Sequence, residues 1–509
     1  MNILRARKLR NRRRRMRNRL RTRQWADQAR PMLAASNIHY ELPDRVRGLG
    51  AGGIGAMLLL ARRSGLVQAL DARLRLLKVH KPYHESDHVL NIAFNLLAGG
   101  DCLEDLELLR HDEAYLEGLG AQRIPDPTTA GDFCRRFDAA AVQTLMETIN
   151  QVRLNLWRLQ PRPFLARAIL DADGTLVTTT GQCKQGMDIS YQGQWGYHPL
   201  ILSLANTAEP LFIVNRSGNR PSHEGAAGYF DQAIQLCRRA GFRRILLRGD
   251  TDFTQTRHLD RWDADGVEFC FGIDATPHLV QHAESLPESA WTPLPRPPRD
   301  QAKTDPRQRP ANVKEQIVRQ RQFQNIRLQS EQIAEFSYRP TACQKLYRLV
   351  VVRKNLSVEK GEQVLFDDVK YFFYLANDTG ASAQELVEHA HRRCNQENLI
   401  AQLKSGVQAL NMPVDNLVSN WAYMVMASLA WTLKAWLALS LPETGRWASR
   451  HQAQKQSVLK MEFKRFLNAF LRVPCQIVRT GRRVVYRLLA WNPWQPVFLR
   501  AVEALRSPR

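Results

Sequence analysis

Carboxylates stand at three places in the sequence from which they could bind divalent cations. Asp171 and Asp173 lie two residues apart in ILDADGT, Asp250 ends the run ILLRGD, and Glu397 lies in a charged segment further on. Three carboxylates brought together repel one another and resist ionisation unless divalent cations balance their charge. Two such ions about 4 Å apart can activate the attacking oxygen and stabilise the leaving oxygen of a phosphoryl displacement. Oxygen ligands without clustered His or Cys favour Mg²⁺ (or Mn²⁺) over Zn²⁺.

Each acid also has an ordinary structural explanation when it is taken alone. Asp173 and Gly174 form an Asp-Gly pair, which is typical of turns. An aspartate at the end of a strand, such as Asp250, is a common N-cap for the helix that follows. The residues taken singly therefore leave both explanations open, and only the joint placement of the acids can decide between them.

Glu397 lies in residues 385–407 (ELVEHAHRRCNQENLIAQLKSGV), whose spacing predicts one amphipathic helix. Apolar residues recur there at helical intervals, and Ser382 is placed to cap the N-terminus. Arg393, Glu397 and Lys404 fall along a neighbouring stripe, which sets one carboxylate between two cations. A solvated surface helix with i,i+4 ion pairs would show the same pattern.

The pattern of the chain changes from helical to strand-like near residue 163. From there to residue 273 it predicts three strands, a helix, a strand, a helix and a strand. This is the element order of an α/β fold of the ribonuclease H (RNase H) type, in which the first and fourth strands are neighbours. Asp173 and Asp250 would then converge at one edge of the sheet, with a carboxylate from a later helix reaching across.

The balance of charge predicts a nucleic acid partner. Lysine and arginine (73) outnumber aspartate and glutamate (49), which gives a net charge of +24. Such a field attracts polyanions, and phosphate neutralisation supplies most of the non-specific affinity for nucleic acid. Arg135 and Arg136 lie on a predicted helix that could enter a DNA groove, and Arg482 and Arg483 lie in a basic run near the end of the chain. An ordinary surface helix and a merely basic protein are the alternatives.

The predicted architecture is an RNase H-like catalytic core interrupted by an inserted β-rich region, with an all-α N-terminal domain and a basic helical C-terminal region. Proline-rich polar sequence after residue 284 indicates an exposed linker inside the insertion. The expected units are an Arg-rich disordered tail (1–24), a helical DNA-binding domain (25–158), the first part of the core (159–275), the insertion (276–380), the second part of the core with the catalytic helix (381–445) and the basic C-terminal region (446–509).

Several other classes of protein are not favoured. Eight cysteines without a CxxC pair indicate reduced thiols rather than a zinc knuckle or a disulfide framework. The lack of a GxxxxGK[ST] motif argues against a nucleotide cofactor. No signal peptide is expected, and residues 417–441, interrupted by Asn420 and Lys434, are predicted to form a buried core helix rather than a membrane span. We expect a cytoplasmic protein, associated with the bacterial nucleoid.

Three motifs together resemble the DDE transposases of the IS4 superfamily, most closely its IS1380 group. They are DADGT, LLRGDTDF and RRCNQENLIAQLK, in this order and with an inserted strand region before the last. Arg393, Glu397 and Lys404 match the signature Tyr-x2-Arg-x3-Glu-x6-Lys of that superfamily at the correct spacing. The tyrosine position departs from the signature, because it is Ala390 here. The resemblance extends over nearly the whole chain.

The resemblance implies roles for individual residues. Asp173, Asp250 and Glu397 would be the catalytic, metal-binding triad for two Mg²⁺ (or Mn²⁺) ions, and Asp171 would be structural. Arg393 and Lys404 would hold phosphates near the cut. The insertion of such proteins can stack an aromatic side chain on a flipped base, but Trp291 is predicted to be a packing residue.

A second aromatic stretch, QWGYHPL, includes Trp195, Tyr197 and His198. Its residues are predicted to be strand residues with a turn. Since members of the resembled family have a similar passage after the first strand, closeness of these residues to the acids is the alternative.

The function implied is that of a DNA transposase acting by a cut-and-paste route. It would bind the terminal inverted repeats of an insertion sequence as a synaptic homodimer, cut the ends and join them to target DNA, with a hairpin intermediate implied by the resemblance alone. A non-catalytic DNA-binding repressor derived from a transposase is the main alternative. An RNA-binding protein would explain only the basic ends of the chain.

Overall fold

The N-terminal part of the chain is helical. The computed structural model describes residues 3–21, 32–33, 35, 37–41, 46–295, 313–361, 363–481 and 483–506. Before residue 159 the described elements are α1 (Ile3–Arg19), β1 (Gly48–Leu49), α2 (Ile54–Arg63), α3 (Leu66–Arg73), α4 (Glu85–Ala98), α5 (Leu106–Arg110), α6 (Glu113–Leu119), α7 (Pro127–Arg135) and α8 (Ala139–Arg158). Apart from β1, these described elements are helices, which the sequence predicts for those after residue 24 but not for α1.

Residues 159–275 contain the elements of a mixed sheet in the predicted order and, between its first two strands, three further short strands; all of these elements follow in chain order. They are β2 (Arg167–Gly174), β3 (Val177–Thr178), β4 (Asp188–Ile189), β5 (Trp195–Tyr197), β6 (Leu200–Leu204), β7 (Glu209–Val214), α9 (Ala226–Ala240), β8 (Arg244–Gly249), α10 (Leu259–Ala264) and β9 (Glu268–Ile273). In the sheet, β8 pairs in parallel with both β2 and β9, while β6 and β7 continue it antiparallel on the other side of β2. The short strands β3, β4 and β5 form a separate small sheet.

The strands of the inserted region extend the same sheet instead of forming a sheet of their own. The elements are α11 (Pro277–Glu284), β10 (Thr292–Pro293), α12 (Val313–Gln320), β11 (Gln324–Tyr338), β12 (Tyr347–Lys360) and β13 (Gln363–Ala376). The last four residues of β13 pair with β9, so the strand order is β10-β11-β12-β13-β9-β8-β2-β6-β7. The insertion is therefore connected through β9 to β8 and β2, the strands that carry the acids.

The rest of the chain is built around one long apolar helix. Its elements are α13 (Ala383–His391), α14 (Cys394–Ala401), α15 (Leu417–Leu439), α16 (Ala448–Leu459), α17 (Phe463–Phe466), β14 (Cys475–Thr480), β15 (Arg483–Leu488) and α18 (Gln495–Arg506). α15 is long and apolar enough to cross a bilayer, but its apolar window is entirely buried against α4, α8 and β7. The prediction of a buried core helix is confirmed. Asn420 and Lys434 are tolerated inside it because both donate to backbone carbonyls.

Two predictions for the basic ends were wrong. Of the tail predicted to be disordered, Ile3–Arg19 forms helix α1. Its 17 residues are rich in Arg and contain no Gly or Pro, which gives them high helical propensity. Arg12 on this helix donates to the carbonyl of Leu488 over 3.0 Å. The C-terminal region is not purely helical, because β14 and β15 form a hairpin whose Val, Ile and Tyr residues favour strands.

A buried ion pair ties the helical part of the chain to the sheet. Arg153 on α8 and Glu209 at the start of β7 are 1% and 0% exposed, and their Nε and Oε1 atoms are 2.9 Å apart. Glu209 also accepts hydrogen bonds from the indoles of Trp157 and Trp436, which satisfies the carboxylate away from water. Because Trp436 belongs to α15, this single carboxylate fastens α8, β7 and α15 together.

Glu209→Gln should destabilise the protein strongly, since it leaves the Arg153 guanidinium buried without a counter-charge. Breaking one side of such a pair costs about 3–5 kcal/mol. A large fall in the urea midpoint is expected. Glu147→Gln, which breaks the exposed pair with Arg73, is the matched control and should cost under about 1 kcal/mol. Equal midpoints for the two variants would contradict this role of Glu209.

Candidate active site

Two neighbouring parallel strands bring the first two acids of the site together. The register pairs Asp171 of β2 with Arg248 of β8, so Asp173 and Asp250, each two residues further on, leave the sheet side by side. Asp250 also caps the short 3₁₀ turn Thr251–Phe253, where its Oδ1 accepts from the backbone of Asp252 over 3.1 Å. The capping explanation of Asp250 therefore holds, and its position beside Asp173 is compatible with a role in a site as well.

The segment that carries the third acid is not the single helix that the sequence predicts. α13 ends at His391, α14 begins at Cys394, and a π-helical turn follows at Gln402–Gly406. The break lets the two halves pack on different strands. α13 packs in an apolar cluster with β8, β9 and the insertion, whereas Gln396 of α14 donates to the Ile201 carbonyl of β6 over 3.0 Å. The predicted N-cap Ser382 is confirmed by a full capping box with Glu385.

The Arg393 guanidinium lies between the three acids. Its Nη1 is 3.7 Å from Oδ2 of Asp173 and 3.9 Å from Oδ2 of Asp250, and its Nη2 is 3.8 Å from Oε1 of Glu397. Asp173 is mostly buried at 15% exposure, while the Glu397 side chain is 60% exposed. The three predicted acids therefore meet around one cation, supplied by the residue at the helix break.

Burial and mutual repulsion act on the two aspartates. Burial, together with the negative charge of Asp250, raises the pKa of Asp173 to about 7. Burial also raises the pKa of Asp250, and the Arg393 charge opposes that rise. Burial and repulsion by neighbouring carboxylates both disfavour the ionised forms of Asp173 and Asp250. The two aspartates therefore lack sufficient positive charge even with Arg393 in place.

The donor set suits a hard divalent cation, although Arg393 stands at its centre. All three side chains offer carboxylate oxygens, the ligands that Mg²⁺ and Mn²⁺ prefer. Among the residues that the structure describes, no three His, Cys, Asp or Glu side chains are grouped closely enough to hold an ion. Binding an ion between the acids requires the guanidinium to move away.

Asp171 lies behind the site and has a different partner. It is 1% exposed, and its two oxygens accept from Nε and Nη2 of Arg248, each over 2.7 Å. The remaining Nη1 of Arg248 donates to the His389 carbonyl at the end of α13 over 2.9 Å. Arg248 thus links β2, β8 and α13. Sequence reasoning missed it, although a charged residue within the apolar strand RILLRG indicates a buried partner.

The predicted DNA-binding cations are not all at this site. Lys404 lies at the site, where its Nζ donates to the Leu176 carbonyl over 2.8 Å. Burial lowers the pKa of Lys404, and the nearby charge of Asp173 opposes that shift. Arg135 is paired with Asp132 and Asp415, both over 3.0 Å. The two remaining arginines that the structure describes lie elsewhere, Arg136 exposed after α7 and Arg483 exposed at the start of β15. Arg482 lies outside the described residues.

His198 lies beside the acids. A β-carbon built on Gly174 would come within 3.0 Å of its Nε2, which places the ring next to the residue that follows Asp173. Its Nδ1 donates to the Arg220 carbonyl over 2.8 Å, so that nitrogen carries the proton. Burial lowers the pKa of His198, which keeps the ring neutral with Nε2 as an acceptor.

Asp173→Asn should stabilise the metal-free protein at high pH. Because folding raises this pKa, the contribution of Asp173 to stability is complete below about pH 4 and is lost as pH rises through about 7. The variant escapes a penalty of the order of 2–4 kcal/mol. Its melting temperature in EDTA should exceed that of the parent by several degrees at about pH 8, and by less at about pH 5. The exposed Asp274→Asn is the control, and a lower melting temperature of Asp173→Asn at about pH 8 would refute the prediction.

Comparison with known proteins places the chain in a family. Residues 50–509 match the family described as "Transposase DDE domain group 1". No curated protein matches. Among solved structures, the chain is similar to the "piggyBac transposase synaptic complex with hairpin DNA", determined by cryo-EM, at 12% identity and a TM-score of 0.35, over 83% of this chain and 80% of that one. Since the family match spans most of the sequence, this chain belongs to the transposases with a group 1 DDE domain.

Proposed function

We propose that the chain is a DNA transposase that cuts the terminal inverted repeats of an insertion sequence and joins the freed 3′ ends to target DNA. The observation that carries the proposal is the meeting of Asp173, Asp250 and Glu397 around one guanidinium in a chain of a DDE transposase family. The motifs quoted above favour the IS1380 group of the IS4 superfamily. The protein would act in the cytoplasm, at the nucleoid.

An RNase H-like core with an insertion is the proposed catalytic unit. In its support, β2 is flanked by β6 and β8, and the two aspartates leave neighbouring parallel strands at one edge. The catalytic helix enters after the insertion, and the insertion continues the sheet on its far side. Strands hold their ends more rigidly than loops do, which suits a reaction that needs fixed carboxylates.

In the proposed reaction, Asp173, Asp250 and Glu397 would hold two Mg²⁺ (or Mn²⁺) ions, which would supply the positive charge that phosphoryl displacement needs at the attacking and leaving oxygens. The chain's own residues hold and orient the DNA. Arg393 leaves the acids and contacts the phosphate oxygens, which its planar guanidinium can bind through two hydrogen bonds. Lys404, held beside Asp173, offers a compact charge to a neighbouring phosphate.

Further cations would hold the DNA away from the cut. Helix α1 carries basic residues on every side, and Arg136 and Arg483 are exposed to solvent. Arg135 is a weaker candidate because its pairs with Asp132 and Asp415 would have to open. Arg482 remains a prediction, as do the synaptic homodimer and the hairpin intermediate implied by the resemblance.

The second candidate is a DNA-binding repressor that has lost catalysis. It would keep the basic surfaces and need no cation at the acids. The fact that favours it is the lack of a preassembled group of metal ligands among the described residues. Cleavage of DNA that contains the sequences flanking the gene, with and without Mg²⁺, separates the two candidates.

Glu397→Gln and Asp250→Asn should each abolish cleavage and strand joining, because one triad serves both steps. The expected loss is more than about 100-fold, since each is a direct ligand rather than a supporting contact. Binding of the same DNA, measured by gel shift, should change little. Glu388→Gln, which removes a partly exposed acid of α13 that forms an ion pair with Arg392, is the matched control and should cut normally. Cleavage in Mg²⁺ by Glu397→Gln would show that the triad is wrongly assigned.

Arg393→Gln should bind divalent cations more tightly than the parent chain. The guanidinium competes with the ion for all three carboxylates, so its removal should raise Mn²⁺ affinity by about tenfold or more at an effective dielectric constant near 20. Calorimetry with Mn²⁺ on DNA-free protein provides the measurement. Arg392→Gln, which removes the adjacent and 64% exposed arginine, should leave the affinity unchanged. Weaker binding by Arg393→Gln would instead mean that Arg393 is needed to order the acids.

A further inference from the structure

A cavity of about 360 Å³ lies in the helical N-terminal part of the chain. It is bounded by α2, α4 and α6 and by residues 120–125, which connect α6 to α7. Its volume falls in the range of about 300–1,000 Å³ that is usual for the binding sites of small molecules. None of the residues that line it belongs to the candidate active site or to the proposed DNA contacts. The proposed function therefore does not explain this cavity.

The floor of the cavity is apolar and partly aromatic. It is formed by Leu90 and Phe94 on α4, Tyr115 on α6 and Ile124 in the connection, whose side chains are all buried. The half-buried ring of Tyr83 lines the cavity nearer to its mouth. Aromatic rings pack well against other rings in offset or edge-to-face contacts, and removal of apolar surface from water favours binding. The floor therefore suits the rings of a small aromatic molecule.

Two exposed arginines at the rim of the cavity attract negative charge. Neither Arg62 nor Arg123 forms an ion pair within the part of the chain that the structure describes. Nε of Arg123 donates to the Tyr83 hydroxyl over 2.9 Å, and this neutral partner holds the guanidinium in place without cancelling its charge. Asp87 is the only acid among the described residues that line the cavity, and its Oδ2 accepts from the His84 amide over 2.9 Å. Two cations therefore face one acid that is already hydrogen-bonded, which favours an anionic group in the occupant.

Asn91 contributes a buried acceptor without a partner. Its side chain lines the cavity and is 5% exposed. Its Nδ2 donates over 3.0 Å to the carbonyl of Pro125, which immediately precedes the N-cap of α7, Asp126. Its Oδ1 has no hydrogen-bond partner among the described residues. Because buried polar atoms are nearly always paired, an N–H or O–H group on an occupant would satisfy this oxygen.

We propose that this cavity is a binding site for a small aromatic anion that carries a hydrogen-bond donor. The rings of the ligand would rest on the apolar floor, its carboxylate or sulfonate would contact Arg62 and Arg123, and its N–H or O–H would donate to Asn91. The site is separate from the acids and does not depend on DNA cleavage. A bound ligand would also touch the connection that leads into α7.

Anilinonaphthalenesulfonate is a suitable probe because one molecule combines aromatic rings, a sulfonate and an amine N–H. When it is titrated into the full chain, it should bind at a single saturable site with enhanced, blue-shifted fluorescence, since the apolar floor excludes water. Phenylnaphthylamine has the same rings and N–H but no sulfonate. It should bind at least about tenfold more weakly, because it cannot pair with the arginines.

Variants of the rim and the wall locate the bound probe. Arg62→Gln and Arg123→Gln should each weaken binding of anilinonaphthalenesulfonate by about tenfold and leave binding of phenylnaphthylamine unchanged. Leu58→Trp fills the cavity from α2 and should abolish saturable binding of both probes. Arg110→Gln is the control, since it removes an arginine of the same helical region that pairs with Glu107 outside the cavity. This control should bind both probes as the parent chain does.

Equal affinities of the parent chain, Arg62→Gln and Arg123→Gln for anilinonaphthalenesulfonate would overturn the proposal. Absence of a saturable site in the parent chain would do the same, as would displacement of the probe by duplex DNA, which would make the cavity part of the DNA-binding surface. Both arginines are exposed, so their replacement tests the site even if the thermal unfolding curve of Leu58→Trp shows that this variant does not fold. Neither probe reports cleavage, so failure of this proposal and failure of the proposed function give different outcomes.

Discussion

The candidate active site depends on one electrostatic constraint, which is that carboxylates gathered at a sheet edge need positive charge close by. Two arginines supply this positive charge, one in the buried interior behind the site and one among the three acids of the site itself. Arg248 neutralises the fully buried Asp171 through two bonds of 2.7 Å and also holds the end of α13. Arg393, four residues beyond that anchor, reaches Asp173, Asp250 and Glu397. The inner pair thus fixes the helix from which the outer arginine and the third acid project.

The buried contacts of Glu209 extend this order to the rest of the protein. β7 is the edge strand beyond β6, and Glu209 connects it to α8 and to the long core helix α15. β6 in turn receives Gln396, the residue before Glu397. The N-terminal helices and the position of the third acid are therefore linked through two neighbouring strands, so the helical part of the chain supports the geometry of the site.

The sequence predicted those features that local pattern determines. The alternation and apolar runs gave the strand and helix order around β2 and β8 and the burial of α15, and the position of Ser382 before a helical pattern gave the cap. Features that depend on distant partners could not be read in this way. Arg248 meets Asp171 across 77 positions, the break at Arg393 depends on how two half-helices pack on different strands, and the insertion joins the main sheet through β13. The exposed state of Trp195 and the buried state of Trp291 likewise depend on tertiary neighbours.

The placement of Arg393 has a consequence for how ions and DNA act together. One guanidinium cannot pair with the three acids and with a phosphate at the same time. In the proposed reaction, a phosphate that draws Arg393 away would leave the acids with unbalanced negative charge and so favour binding of a divalent ion. An ion between the acids would in turn release Arg393 toward a phosphate. Such coupling is reciprocal, since each ligand must change the affinity for the other by the same factor. Under the proposed function, an acid pair with raised pKa values, held by an arginine at a helix break, would suit an enzyme that completes its metal site only when DNA is bound.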